Sequence, residues 1–175
     1  LALAQQIVQP LRAMTLLQNV ALACGAAKTD SPFTAMASYE RGSENKRALE
    51  LLSRVGLGEV VDQEPAKLPL GYLKRLEVAR AMALNPKLLL LDEPLAGLNQ
   101  SEANALADLI KNLNSDGLTI LLIEHNLREV MRICPKVYVQ DRGRPLAFGP
   151  TAEIMARVDV VQAYLGGEYF DVASQ

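Results

Sequence analysis

The chain predicts an α/β fold: a parallel β-sheet covered by helices, joined to an all-helical subdomain. Three observations carry this. The apolar runs Leu88–Asp92 and Leu118–Glu124 are separated by a helical stripe, the pattern of parallel strands buried on both faces. The patterned segments before Pro86 all show helical periodicity, so the front half reads as all-helical. Both apolar runs end in polar groups, Asp92-Glu93 and Glu124-His125, at the carboxyl edge where open α/β sheets bind ligands. At 175 residues, half of them apolar and 22% charged, the chain can bury a real core.

The elements follow in order. Thr15-x-x-Gln18 is a capping box, which predicts a helix from Leu16 to about Ala23. Residues 24–43 are small and polar and read as a mobile connection. Ser43 caps a helix whose Ala48, Leu51, Leu52 and Val55 form one stripe, stopped by Gly56. Leu68-Pro69-Leu70-Gly71 leads into a helix from Tyr72 to Leu84, ended by Asn85-Pro86. Next come the strand Leu88–Asp92, a helix Ser101–Asn114 with Leu106, Leu109, Ile110 and Leu113 on one face, and the strand Leu118–Glu124. Asn126-x-x-Glu129 opens a short capped helix. Lys136–Gln140, the turn Asp141-Arg142-Gly143-Arg144 and Pro145–Phe148 read as a hairpin, and helical segments run from Thr151 to Leu165. This divides the chain into a helical subdomain over about 10–86, an α/β core over 87–150 and a helical tail over 151–175.

Charge and cysteine usage exclude several classes. Eighteen basic residues stand against twenty acidic ones, and no basic run exceeds a pair such as Lys74-Arg75, so no nucleic-acid partner is expected. Cys24 and Cys134 form neither a metal spacing nor a disulfide framework. The run from Leu118 to Ile123 is far below the roughly 18 residues needed to span a bilayer. The first residue is Leu1, with no cap or turn before the first pattern, which suggests a chain that begins within a domain.

The chemistry concentrates at two strand ends. Adjacent carboxylates closing a strand point different ways, so one of Asp92 and Glu93 can bind Mg²⁺ through water while the other faces a nucleophilic water at a γ-phosphate. The bland alternative is an acidic pair that caps the next turn. His125 is the only histidine, and a neighbouring strand would set it beside that pair, where an imidazole can hydrogen-bond a phosphate. A structural histidine is the alternative there. Gly71 heads a helix, where backbone amides and the helix dipole favour an anion, although taken alone it is a plain turn glycine.

Read together, Leu68-Pro-Leu-Gly71-Tyr-Leu-Lys-Arg-Leu-Glu-Val-Ala-Arg80, Leu88–Pro94, Ala96-Gly-Leu-Asn99 and Glu124-His125 resemble an ABC transporter ATPase, in the order signature helix, Walker B strand, D-loop and switch histidine. The resemblance runs from Gln6 onward. The segments Ile123–Met131 and Val160–Gly166 are similar to the ATP-binding subunits of branched-chain amino acid importers, with lipopolysaccharide-export ATPases as the nearest rival pattern. The resemblance implies a P-loop NTPase-like (ABC ATPase) fold, with ATP and Mg²⁺ as ligands. It implies Asp92 as the metal ligand, Glu93 as general base and His125 at the γ-phosphate. Gln6 would be the Q-loop residue at the metal, with neighbouring Gln5 an open alternative. Pro69, Leu70, Gly71, Tyr72, Gly97 and Asn99 would contact nucleotide across a dimer. The implied partners are a second ABC ATPase subunit and transmembrane permease subunits, at the cytoplasmic face of the inner membrane.

The sequence departs from the family pattern. Pro69 and Tyr72 stand where the commonest signature, Leu-Ser-Gly-Gly-Gln, has serine and glutamine, which removes a hydroxyl and a backbone donor. Asn99 stands where many relatives carry Asp. None of the eleven glycines begins a Gly-x-x-x-x-Gly-Lys-Ser/Thr run, so the fold is expected without the P-loop strand. Truncation is the simplest account, because the downstream residues are intact. The missing strand would belong between the strands ending at His125 and Gln140, and the 175-residue chain alone is expected to have negligible ATPase activity. A non-catalytic binding module is the competing class.

Overall fold

Leu88, Leu89, Leu90 and Leu91 run straight into Asp92, and this apolar stretch forms the middle strand of a three-stranded parallel sheet. The computed structural model describes residues 2–4, 10–26 and 41–165. They fall into two compact units, Leu1–His125 and Asn126–Gln175.

In the first unit, β1 (Ala2–Ala4), β2 (Leu88–Asp92) and β3 (Thr119–Ile123) lie in the order β1-β2-β3, all parallel. Ala2 pairs with Leu89 and Ala4 with Leu91, while Leu88 pairs with Thr119 and Asp92 with Ile123. β1 corrects the expectation of an all-helical front half. Ala2-Leu3-Ala4 is too short a run to display a strand period, so only its backbone pairing reveals the strand.

Three helices pack on one another in this unit: α1 (Leu16–Ala26), α2 (Arg41–Arg54) and α3 (Leu70–Ala83). The capping box at the start of α1 is present in both directions, with Gln18 N donating to Thr15 Oγ1 at 3.2 Å and Thr15 N donating to Gln18 Oε1 at 2.9 Å. α1 extends to Ala26, past the expected end. The expected connection is therefore helical at its start, and its residues 27–40 lie outside the described residues. Ser43 is inside α2, not its cap, since that helix already begins at Arg41. The stripe Ala48, Leu51, Leu52 and Val55 is fully buried as expected, and so are Leu16 and Val20 of α1 and Leu76 of α3, the helices on which α2 packs. Burying such aliphatic side chains stabilises by roughly 1.5–3 kcal/mol each.

Pro69 takes the N-cap position of α3 with φ −58°, so its fixed torsion suits helix entry, and the helix starts at Leu70, two residues earlier than expected. After β2, α4 (Gln100–Ser115) buries Leu106, Ile110 and Leu113. Among the described residues the outer strand β3 is covered on one face only: Leu121 is 53% and Ile123 57% exposed.

The second unit holds α5 (Leu127–Ile133), β4 (Lys136–Asp141), β5 (Arg144–Pro150), α6 (Thr151–Met155) and α7 (Val158–Leu165). Asn126 Oδ1 accepts from Glu129 N and caps α5. β4 and β5 form the expected hairpin. Its two-residue loop has Arg142 at φ 46° and Gly143 at φ 78°, the left-handed pair that matches strand twist. Val137, Ala147, Ile154 and Val160 form its core.

Candidate functional site

The ends of β2 and β3 meet as the strand register dictates. Asp92 is the last paired residue of β2, opposite Ile123. One residue on, Glu93 N donates to Ile123 O at 2.9 Å, which prolongs the ladder. Glu93 then turns out of the strand at φ 44°, a left-handed conformation uncommon for a residue with a side chain. Glu93 Oε1 comes within 3.6 Å of His125 Nδ1, with the Glu93 side chain 32% and the His125 side chain 68% exposed. The structure therefore brings together Glu93 and His125, with half-buried Asp92 next to Glu93 in sequence.

Two residues that sequence reasoning did not select complete this region. The Glu124 carboxylate accepts from Leu95 N at 2.8 Å and from His125 N at 3.2 Å, so it ties the loop after Glu93 to the backbone of His125. Lys74 of α3 is only 6% exposed, and its Nζ lies 3.4 Å from Glu93 O. Burial pulls the Lys74 ammonium below its usual pKa of 10.5, opposed by the nearby carboxylates of Glu124, Glu93 and Asp92. Glu124 could have been noticed from its place beside His125. Lys74 carries no such sign.

The turn Pro69–Tyr72 and the loop Ala96–Asn99 are also neighbours. Pro69, Leu70 and Tyr72 are exposed. Gly71 is buried, and a Cβ there would sit 3.2 Å from Glu102 Oε1, a tight approach that the Glu102 side chain would have to relieve by a few tenths of an ångström. Gly97, at φ 79°, would bring a Cβ within 3.0 Å of Leu70 Cδ2. Asn99 is the N-cap of α4: its side chain accepts from Glu102 N at 3.0 Å, while Glu102 Oε2 accepts from Asn99 N at 3.2 Å. This is a capping role, beside whatever contact the residue makes elsewhere. Gln6, with Gln5, lies outside the described residues.

The donor chemistry suits a magnesium ion. Asp92 and Glu93 offer hard carboxylate oxygens, and among the described residues no three His, Cys, Asp or Glu side chains group to enclose a metal. Mg²⁺ typically takes one or two protein carboxylates and completes its shell with water and phosphate oxygens. Among the described residues no helix is long and apolar enough to cross a membrane.

Comparison with known proteins gives a consistent picture. The chain is 39% identical to the high-affinity branched-chain amino acid transport ATP-binding protein LivG of Escherichia coli (strain K12) over 167 residues, covering 92% of the chain and 66% of LivG. The chain thus spans just under two thirds of that relative's length. It is 35% identical to the lipopolysaccharide export system ATP-binding protein LptB of the same strain over 123 residues, covering 70% of the chain and 51% of LptB. In three dimensions it superposes on the ADP conformation of MJ1267, an ATP-binding cassette of an ABC transporter. The TM-score is 0.78 at 28% identity, covering 94% of the chain and 68% of MJ1267. The ABC transporter family profile matches residues 1–96, more than half of the chain. With a sheet that sets an acidic pair and a histidine on adjacent strand ends and superposes on such a cassette, the chain belongs to the ABC transporter family.

Proposed function

We propose that the full-length protein is the ATP-hydrolysing subunit of an ABC transporter that imports branched-chain amino acids. The observation that carries the chemistry is the 3.6 Å approach of His125 Nδ1 to Glu93 Oε1 across two adjacent parallel strands. In this reading Glu93 takes a proton from the attacking water, and His125 hydrogen-bonds the γ-phosphate oxygens. Asp92 holds Mg²⁺, which when bound offsets the charge of the phosphates. Gly71 and the start of α3, with Gly97 and Asn99, face the nucleotide of a second cassette, where a helix N-terminus favours an anion. Gln6, or its neighbour Gln5, would link the nucleotide to the permease subunits, and the assembly works at the cytoplasmic face of the membrane.

The test is ATP hydrolysis by the full-length protein with Mg²⁺. Glu93→Gln keeps the shape and removes the base, and a loss of about 10²–10⁴-fold is expected. Hydrolysis unaffected by that change would overturn the reading.

Amino-acid import is favoured by the 39% identity to LivG over nearly the whole chain. The 35% identity to LptB supports a second reading, lipopolysaccharide export. Reconstitution with candidate permeases separates them: stimulation of ATPase by a leucine-loaded binding protein supports import, and stimulation by lipopolysaccharide supports export.

A further inference from the structure

We propose that Lys74 is a positioning residue, whose ammonium holds the Glu93 turn from behind and so aims the Glu93 carboxylate. This rests on the reading of Glu93 as the base given above. Among the described residues Lys74 is the only buried cation, the other buried polar residues being Asn19, Glu129 and Thr151. Lysine is almost never buried to this degree unless it has a charged or polar partner. Here the surroundings supply them: Nζ meets Glu93 O at 3.4 Å, and the carboxylates of Glu124, Glu93 and Asp92 all act on its charge.

The turn needs holding. Glu93 has φ 44°, a conformation that side-chain-bearing residues keep only where neighbours over-determine it. Three contacts do so. Glu93 N donates to Ile123 O, Ala96 N donates to Glu93 O at 3.2 Å, and the Lys74 ammonium reaches that same carbonyl. The first two contacts come from neighbouring backbone. The third comes from helix α3, which begins at the Pro69–Tyr72 turn, so it fixes the base relative to that helix.

Lys74 also sits near the second strap of the site. Glu124, foremost of the carboxylates acting on Lys74, is the group that joins Leu95 N to His125 N. Without the ammonium, three carboxylates would share this space with their principal buried counter-charge gone. The expected consequence is a displaced Glu93 side chain. Fold and nucleotide binding would remain.

The experiment uses the full-length protein with Mg²⁺-ATP. Lys74→Met should lower kcat by about tenfold or more with KM for ATP within about twofold, since a small misplacement of a reacting group costs rate more than binding. Lys74→Arg should recover the rate to within about threefold, because a guanidinium keeps the charge and donors. In the Glu93→Gln background, Lys74→Met should change the residual rate by less than about twofold, because a residue acting through Glu93 has nothing left to aim. If Lys74→Met does not fold, Lys74→Gln, shorter and uncharged, takes its place with the same expected loss. An unchanged kcat, or an equal loss in both backgrounds, overturns the proposal. A wild-type protein that hydrolyses no ATP removes the reading of Glu93 and this inference together, whereas a Glu93→Gln-sensitive enzyme indifferent to Lys74 removes this inference alone.

Discussion

Strands β2 and β3 have nearly the same apolar character and opposite surroundings. β2 reads Leu-Leu-Leu-Leu-Asp and β3 Thr-Ile-Leu-Leu-Ile. Leu89 and Leu91 are 0% and 1% exposed, while Leu121 and Ile123 are 53% and 57% exposed. β2 is paired on both sides, by β1 and β3, and its side chains enter the core. β3 is paired by β2 and presents one apolar face outward among the described residues. An apolar strand therefore states what it can bury, and the neighbouring elements decide what it does bury. The candidate chemistry follows the same division: Glu93, after the covered strand, is the more enclosed partner, and His125, after the bare one, the more exposed.

The largest expected effect tests whether the two strand ends act as one site. In the full-length protein His125→Ala should lower ATP hydrolysis by about 10²-fold or more, approaching the effect of Glu93→Gln. Combining both should cost little beyond the larger single loss, since groups acting as a unit are not additive. Independent, multiplying losses would break the pairing of the two strand ends.

Stability separates the strands themselves. In the 175-residue chain Leu89→Ala should cost about 2–5 kcal/mol by urea unfolding, the range for emptying a well-packed leucine site. Leu121→Ala should stay within about 0.5 kcal/mol, as at ordinary surface positions. Equal losses would mean that the outer face of β3 is covered after all.

What the sequence made legible is what local chemistry determines. Thr15 and Gln18 satisfy each other within one turn, Ala48 to Val55 recur at helical spacing, and Arg142-Gly143 supply the left-handed pair a tight hairpin needs. The Leu88–Asp92 strand keeps its expected bounds for the same reason. Tertiary choices were not legible. Ala2–Ala4 becomes a strand only through pairing with Leu89–Leu91, and Ser43 lost its capping role because helix α2 starts ahead of it. Lys74 lies in a helix rich in charged residues, where nothing local marks it as buried, and Glu93 bends into positive φ through bonds from Ile123, Ala96 and Lys74. At the site, sequence order carries the identity of the residues, and the fold supplies the 3.6 Å between two of them.

A smaller effect probes the loop that follows β2. Asn99 closes a reciprocal capping box with Glu102 at the start of α4. Asn99→Ala should cost about 1 kcal/mol of stability by thermal or urea unfolding, while Asn99→Asp should cost almost nothing, because aspartate caps equally well and suits the helix dipole. An equal cost for both would show that the side chain serves something other than the cap.

The smallest effect extends the covered-versus-bare distinction to an ion pair. Arg157 Nη2 and Asp159 Oδ2 are 2.6 Å apart, a better-formed pair than Glu93 and His125, yet both side chains are nearly half exposed. Solvent screens such a pair, so Asp159→Asn should leave global stability unchanged within error. Its signature is local. The hydrogen bond from Arg157 holds the Asp159 carboxyl below its usual 3.8, and Asp159 Oδ1 also accepts from Val160 N at the start of α7. A depressed carboxyl binds its proton more weakly in the folded chain, so its contribution is present above pH 3.8 and is lost as pH falls through the lower folded value. Amide exchange at Val160 and Val161 should therefore rise relative to the rest of α7 only in strong acid, and Asp159→Asn should abolish that acid step. A loss of protection near neutral pH would mean that α7 is held at this end by something other than the carboxylate.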